Sequence, residues 1–234
     1  MGEMIQLNTT RLHCIGAYLA RPQLAKPGGR PRGGIVVVQE IFGVNAHIRS
    51  VTDRFAALGY VAIAPAFFDH VEANVELDYD PASFARARQL VAETPFDRAM
   101  EDIASAAQAI ASAGKIGVVG YCWGGTVAFL AATRLGLPAV SYYGTRNVNF
   151  LDENLRAPVQ FHFGERDNSI PPAAIQRHRD ELQARDARHD VEIYTYPADH
   201  AFNREISPHN YDAASAQLAL ERTLAFFTEH LGAA

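Results

Sequence analysis

Short buried-strand patterns alternate with longer amphipathic segments along most of this chain, and this alternation limits the possible folds more than any other feature. The run GGIVVVQE contains the first example. Its residues Ile35–Val38 are continuously apolar and β-branched, as expected for a strand covered on both faces. A helix capped by Asn45 follows to about Leu58, Gly59 ends it, and VAIAP is the next strand. This order predicts a β-α-β unit with parallel strands.

The same alternation continues to the end of the chain and predicts its fold class. After a turn-rich stretch and one helical segment, a second helix has Thr94 as N-cap, Pro95 at its first position and Gly114 as its stop. The stretch up to Pro31 is predicted to be irregular or an edge hairpin, with a loop at residues 27–29. The remaining predicted strands are KIGVVG, PAVSYYG, APVQFHFG and DVEIYTYP, and the remaining helices run from about Trp123 to Leu135, from Ile170 through Arg185, and over SPHNYDAASAQLALERTLAFFTEHL.

This pattern predicts an α/β fold with a doubly wound, mostly parallel sheet and helices on both faces. The length, and the absence of repeats or of a linker, predict a single domain over residues 1–234. Ligand sites of such folds lie at the carboxyl ends of the strands. Functional residues are therefore expected directly after strands.

Composition and charge exclude several other classes of protein. The hydrophobic fraction of 48% and the net charge of −5 are those of an ordinary globular protein without a basic stripe, so we expect a small-molecule partner and no nucleic acid. Two cysteines are too few for a stapled secreted scaffold, which favours a reducing compartment. Neither a targeting segment nor an apolar run of about 18 residues is visible. We therefore expect a cytoplasmic protein with no membrane partner.

The segment GYCWGG, Gly120–Gly125, is the sharpest local signal for chemistry. A nucleophile between glycines, directly after a strand and before a helix, is typical of the strand-to-helix elbow of hydrolases. The helix N-terminus favours a thiolate on Cys122, and the backbone N–H of Trp123 is placed to receive an oxyanion. A buried cysteine in a glycine-rich turn is the alternative. Cys14, in a presumed edge strand, has no such setting and is predicted to be structural.

An acid and a histidine follow the cysteine in the order that this architecture uses. Asp167 lies in the loop after APVQFHFG, and His200 lies in the loop after the last strand. In this arrangement His200 takes and returns the proton while Asp167 fixes its tautomer. Glu165 and Asp199 are nearby alternatives for the acid, but Glu165 comes early in its loop and Asp199 adjoins the histidine.

The other histidines carry no signal for a base or a metal site. His162 lies inside an apolar strand and is interpreted as a core or near-site residue. No H-x-x-E-H or H-E-x-x-H spacing suggests zinc, so no metal is predicted. The histidines without supporting context are His13, His70, His178, His189 and His230.

A carboxylate at Glu40 directly follows the first buried strand. It is either a solvated loop residue or a neighbour of the thiol, because the loop after this strand customarily donates the second oxyanion N–H, here from Ile41. An anion beside Cys122 would disfavour the thiolate until substrate binds. Glu40 would then gate the nucleophile.

QEIFG, GYCWGG, GERD and DHAFNR together resemble the dienelactone hydrolase family, in order and spacing over nearly the whole chain. The cysteine elbow is specific, because most α/β-hydrolases carry serine there. The resemblance implies an α/β-hydrolase fold, no cofactor, a monomer or weak homodimer, and the opening of an enol lactone or related ester in the degradation of aromatic compounds. It implies a Cys122, His200 and Asp167 triad, with Glu40 hydrogen-bonded to the resting thiol.

The resemblance also implies a site for a substrate carboxylate. Arg204, four residues after the histidine, matches an arginine of the family that binds this group, and a bidentate arginine suits such an anion. The family's second arginine and its tyrosine do not align cleanly with PASFARARQLVAE. Arg86 or Arg88 could substitute, or both could lie on a solvated helix face. The aromatic residues Tyr142, Tyr143 and Phe42 are expected to line the pocket or to belong to the core.

Four functions are compatible with these residues. The first is a cysteine-dependent hydrolase of carboxylic esters acting on a dienelactone-type substrate, and the second is a hydrolase of another small ester or thioester. The third is an intracellular cysteine peptidase or thiol-based stress protein, against which the late acid and histidine loops argue. The fourth is a catalytically silent binding protein, disfavoured because all three triad residues are present in order.

Overall fold

A computed structural model describes the chain as two compact units. One unit consists of residues 1–118 and 231–234, and the other of residues 119–230. Eight strands belong to one mixed sheet. The described residues are 1–9, 14–24, 29–183 and 191–232, so the predicted loop at Pro27 and Gly28 lies outside them.

The sheet of the first unit begins with an antiparallel hairpin and continues into a parallel pair. The strand order is β1-β2-β4-β3, in which β1–β2 and β2–β4 are antiparallel and β3–β4 is parallel. The predicted edge hairpin and the predicted parallel β-α-β unit are therefore confirmed. The bounds are β1 Glu3–Asn8, β2 Cys14–Ala20, β3 Gly34–Val38 and β4 Val61–Pro65.

The first helix of this unit follows its predicted capping signals. Asn45 caps α1, because its side chain accepts a hydrogen bond from the backbone N–H of Ile48. Gly59, with φ of 98°, ends the same helix as predicted. The bounds are α1 Ala46–Ala57, α2 Pro81–Glu93 and α3 Phe96–Ala109, with 3₁₀ turns at Phe67–His70 and Ala111–Ala113.

The predicted start of α3 was wrong by one residue. Thr94 does not cap α3, because its hydroxyl donates to the carbonyl of Leu90 at 2.8 Å and so belongs to the end of α2. Pro95 has an extended ψ of 150° and takes the N-cap position. Local bonding of a threonine to the preceding turn competes with its capping role.

In the second unit, three parallel strands alternate with helices in the order β6-β7-β8. The helix after the elbow ends in a π-helical turn at Ala131–Leu135, which covers the predicted range. The strands are β5 Ile116–Tyr121, which leads into this unit, β6 Ala139–Tyr142, β7 Val159–Gly164 and β8 Val191–Tyr196; the helices are α4 Trp123–Leu130, α5 Pro172–His178 with a π-helical turn at Arg179–Gln183, and α6 Ala213–Leu231.

One predicted helix differs from the structure at its start, and the end of another cannot be compared. The closing helix starts at Ala213 rather than near Ser207, because Asp212 accepts a hydrogen bond from the N–H of Ser215 at 2.8 Å and caps it there. The helix after Pro171 was predicted through Arg185, which lies outside the described residues.

The α/β class with a mostly parallel sheet is therefore confirmed, whereas the assignment of one domain to residues 1–234 stays a prediction. Among the described residues, no helix combines the length and apolarity that crossing a membrane would need.

His70 and Asp102 form a buried pair that joins the turn after β4 to α3. The Nε2 atom of His70 lies 2.9 and 3.0 Å from the two carboxylate oxygens of Asp102. Burial raises the pKa of Asp102 to about 6, although its hydrogen bond to His70 opposes the shift. Because the native pKa exceeds the ordinary value, the protonated carboxyl stabilises the fold at acid pH. That contribution is lost as the pH rises through about 6.

We expect Asp102→Asn to gain stability relative to the wild type as the pH rises from about 4 to about 8, because an amide cannot ionise in the core. The difference in the free energy of unfolding should move by roughly 2 kcal/mol over this range. Urea denaturation at several pH values measures it, with Asp97→Asn at an exposed position of the same helix as the control. A difference that stays constant with pH would contradict the expectation.

Candidate active site

The turn at Cys122 has the backbone geometry of a strand-to-helix elbow. Cys122 lies between β5 and α4 with φ of 56° and ψ of −116°, a conformation that costs free energy for any residue with a side chain. Its N–H donates to the carbonyl of Tyr142 at 3.0 Å, and its own carbonyl accepts from the N–H of Gly125 at 2.9 Å. These bonds offset the strain and hold the thiol at the start of the helix.

This turn requires glycine at two positions, because backbone oxygens lie too close for a side chain to fit there. A Cβ at Gly120 would lie 1.8 Å from the carbonyl oxygen of Gly124, and a Cβ at Gly125 would lie 2.5 Å from that of Tyr142. Neither backbone oxygen can move without breaking the turn. The spacing of GYCWGG therefore follows from the steric demands of the elbow.

His200 and Asp167 meet in two loops that follow strands β8 and β7. The Nδ1 atom of His200 lies 2.6 Å from Oδ2 of Asp167, and Oδ1 of this carboxylate accepts the N–H of Ser169 at 2.8 Å. A carboxylate can only accept, so Nδ1 of His200 carries the hydrogen and Nε2 faces other partners. Asp167 is almost fully buried, with 4% of its surface exposed, which fixes the orientation of the ring.

Cys122 acts electrostatically on His200. Burial lowers the pKa of His200, but the charge of Cys122 and the hydrogen bond to Asp167 outweigh it and raise the pKa to about 10. The imidazole therefore favours its charged form beside the carboxylate of Asp167. A charged imidazole can give a proton to a leaving group, and its neutral form can take one up.

The alternative acids are directed elsewhere. Asp199 has a half-exposed side chain, and its Oδ2 lies 3.5 Å from Nε of Arg166. Glu165 is exposed. Of the three carboxylates considered from the sequence, Asp167 alone is hydrogen-bonded to His200 through its side chain.

Aromatic side chains pack around His200. The ring of Tyr143 meets the imidazole edge-on at 5.0 Å, and Phe202 lies 5.4 Å from Tyr143. Both aromatic residues are fully buried, so they are core residues that touch the site. The close packing excludes water from one side of the imidazole.

The loop after His200 is held by hydrogen bonds to its own backbone. Ala201 has φ of 61°, and its carbonyl accepts the N–H of Arg204 at 2.9 Å. Asn210 donates through Nδ2 to the carbonyl of His200 at 3.0 Å, a contact that the sequence analysis missed. No sequence signal identifies it, because the acceptor is a backbone atom. Arg204 is buried, with 5% exposed, which is unusual for an arginine in a loop.

Four other predicted residues lie in the first unit. Glu40 is 2% exposed and directly follows β3, so it is not a solvated loop carboxylate. Ile41 is partly exposed, and Arg88 is exposed on α2. Arg86 forms an ion pair with Glu72, so its charge has a partner on the surface of its own unit.

Residues able to bind a metal do not cluster in the described parts of the chain. Within residues 1–9, 14–24, 29–183 and 191–232, no group of three or more histidine, cysteine, aspartate or glutamate side chains could hold an ion.

Proteins of known sequence and structure resemble this chain over almost its full length. A "Putative carboxymethylenebutenolidase" of Escherichia coli K12 is 34% identical over 92% of this chain and 83% of its own length. The crystal structure of a "Putative Dienelactone Hydrolase" from Klebsiella pneumoniae has a TM-score of 0.85 at 32% identity, with 98% of each chain covered. A dienelactone hydrolase-like phosphotriesterase from metagenomic libraries, at 21% identity and a TM-score of 0.75, supports the fold alone.

The family model described as "Dienelactone hydrolase family" matches residues 15–231, which include the elbow and both loops of the candidate site. The resemblance drawn from the sequence motifs is therefore confirmed. The chain is a hydrolase of the dienelactone hydrolase family, with the α/β fold of its structural relatives.

Proposed function

We propose that this protein is a cysteine-dependent hydrolase of carboxylic esters that opens a dienelactone-type enol lactone. The observation that carries the proposal is the hydrogen bond between His200 and Asp167, together with Cys122, which lies at a strained strand-to-helix turn and acts electrostatically on His200. A thiol paired with a histidine, which is itself oriented by a carboxylate, is the arrangement that activates a sulfur nucleophile.

The first half of the reaction forms an acyl-enzyme. The Cys122 thiolate attacks the ester carbonyl carbon, and the carbonyl π electrons move to oxygen, where the N–H groups of Trp123 and Ile41 stabilise the negative charge. The tetrahedral intermediate then collapses, and the bond to the leaving oxygen breaks. His200, protonated at Nε2, gives its proton to that oxygen.

The second half releases the acid. Neutral His200 removes a proton from water, whose oxygen attacks the thioester carbonyl and forms a second tetrahedral intermediate. Collapse breaks the carbon–sulfur bond, returns the thiolate and leaves a carboxylic acid. Asp167 keeps the hydrogen on Nδ1 in both halves, so that Nε2 is always the atom that exchanges protons.

A carboxylated substrate is supported by the buried Arg204 in the loop of His200. The fork of a guanidinium matches the two oxygens of a carboxylate, and burial strengthens the attraction between the two charges. Relatives named as carboxymethylenebutenolidases agree with such a substrate.

A second candidate is the hydrolysis of another small ester or thioester. The observation that favours it is the ion pair between Arg86 and Glu72, which occupies a guanidinium that could otherwise bind the substrate. With one arginine clamp instead of two, the site would tolerate acyl groups of more varied shape. Nothing specific favours a peptidase or a silent binding protein.

We expect Cys122→Ala to lower kcat/KM for dienelactone and for p-nitrophenyl acetate by at least about 10³-fold, since no other group replaces the nucleophile. Cys14→Ser is the matched control. Its thiol is exposed and hydrogen-bonded to Asn8, so activity should be unchanged. Full activity of the Cys122→Ala protein would contradict the proposed mechanism.

Arg204→Lys should raise KM for the carboxylated lactone by about 10- to 100-fold, because an ammonium cannot make the paired hydrogen bonds of a guanidinium. The ring without its carboxylate should be hydrolysed equally by both proteins. Arg177→Ala, which removes an exposed arginine of α5, is the control. Equal losses on both substrates would show that Arg204 does not bind the carboxylate.

We expect Glu40→Gln to accelerate alkylation of Cys122 by iodoacetamide, because a buried anion near the thiol would disfavour its ionised form. The measurement uses the Cys14→Ser background, which leaves a single thiol. Glu76→Gln removes a half-exposed glutamate of the same unit for comparison. An alkylation rate that does not change would remove the gating role of Glu40.

A further inference from the structure

A fully buried histidine, His162 in β7, is completely hydrogen-bonded at a place where an apolar residue could fill the space. Its Nδ1 atom lies 2.7 Å from the hydroxyl of Tyr196, and its Nε2 atom lies 2.7 Å from Oε1 of Gln160. Burial and the charge of Arg222 lower the pKa of His162 well below its usual value, so the ring is neutral. A polar group is costly to bury and is retained only where each of its atoms finds a partner.

The hydrogen-bond partners determine which ring nitrogen of His162 carries the hydrogen. Gln160 uses its Nε2 group to donate to Glu192 at 2.8 Å, so its Oε1 must accept from His162. Nδ1 of His162 therefore accepts from the hydroxyl of Tyr196, whose oxygen accepts in turn from Nη1 of Arg222 at 3.1 Å. The order of donation is Arg222 to Tyr196 to His162 to Gln160.

One branch of this network reaches the residue that holds Cys122. The Nε2 atom of His162 lies 3.2 Å from the hydroxyl of Thr223, which lies 2.8 Å from the hydroxyl of Tyr142. The rings of His162 and Tyr142 also pack together, with centroids 4.5 Å apart. Tyr142 is the residue whose carbonyl accepts the N–H of Cys122.

A second branch reaches His200. The carbonyl of His162 accepts the N–H of Tyr143 at 2.8 Å. This bond holds Tyr143 in a left-handed conformation, with φ of 39°, and places its ring edge-on against His200. His162 therefore contacts Tyr142 through its ring and Tyr143 through its backbone carbonyl, and a substitution of the ring leaves the second contact in place.

We propose that His162 is a positioning residue, whose ring sets the distance between the Cys122 sulfur and His200 through Tyr142. The inference rests on the proposed function, because it concerns the pair that carries it. Catalysis by a thiol and an imidazole depends on their alignment, and a misplacement of about 1 Å can cost about 10²-fold in rate. A neutral ring with a fixed tautomer gives a single arrangement of its neighbours.

The test compares His162→Phe with His178→Phe. The control is also a fully buried histidine, packed on the same strand against Phe161 and Phe163 and bonded to the carbonyl of Ala174. In His162→Phe we expect kcat for p-nitrophenyl acetate to fall at least about tenfold while KM stays within about twofold. His178→Phe should keep the wild-type kcat, whatever its Tm.

The pH profile of Cys122 alkylation supplies a readout that a purely structural role would not move. If His162 sets the Cys122–His200 distance, His162→Phe should move the midpoint of this profile to higher pH, because the imidazolium no longer stabilises the thiolate as well. The profile of His178→Phe should match the wild type. The Cys14→Ser background again leaves one thiol to follow.

Two milder variants keep the inference testable if His162→Phe does not fold. Tyr142→Phe removes one hydroxyl, and Thr223→Val removes the hydroxyl between Tyr142 and His162. Both should lower kcat in the same direction. A folded His162→Phe protein, or these two variants, with wild-type kcat and alkylation profile would overturn the inference. If Cys122→Ala is inactive while the His162 variants behave as wild type, only the inference about His162 is overturned and the proposed function stands. An active Cys122→Ala protein would contradict both the inference and the proposed function.

Discussion

The hydrogen bond from the N–H of Cys122 to the carbonyl of Tyr142 is the interaction on which the candidate site depends. It ties the end of β5 to the end of β6 at the point where the chain turns into α4, with a backbone conformation that few residues adopt. The glycine spacing, the buried rings of Tyr142 and Tyr143, and the loop of His200 are all arranged around this strained point. Strain of this kind persists only where the surroundings determine it in several independent ways.

Much of the fold could be predicted because burial repeats with a regular period. Continuous apolar runs identified β3 and β4, and Asn45 with Gly59 bounded α1 to within a residue. The errors came where one side chain has two local partners. Thr94 bonds back to the helix before it instead of forward to the helix after it, and local sequence does not decide between the two.

The candidate site shows the same contrast between residues that the sequence could suggest and residues that it could not. Cys122, Asp167 and His200 could be proposed from their order and their positions after strands, since topology brings such positions to one edge of a sheet. Asn210 and the partners of His162 were not, because their roles depend on backbone acceptors and on pairs more than 30 residues apart, such as His162 with Tyr196. A histidine in an apolar strand reads as a core residue, and His162 is one. Only the hydrogen-bond partners of His162 in the structure connect this core residue to the candidate site.

Hydrogen bonds run in one direction from Arg222 through Tyr196 and His162 to Gln160. A guanidinium has no lone pair to offer, so the first member of the series can never become an acceptor. Every hydroxyl and ring hydrogen behind it is therefore confined to one orientation, and the series cannot reverse as a chain of water molecules can. The hydrogen-bonded dipoles of this series therefore keep one orientation. The series cannot conduct protons away from the thiol and the imidazole.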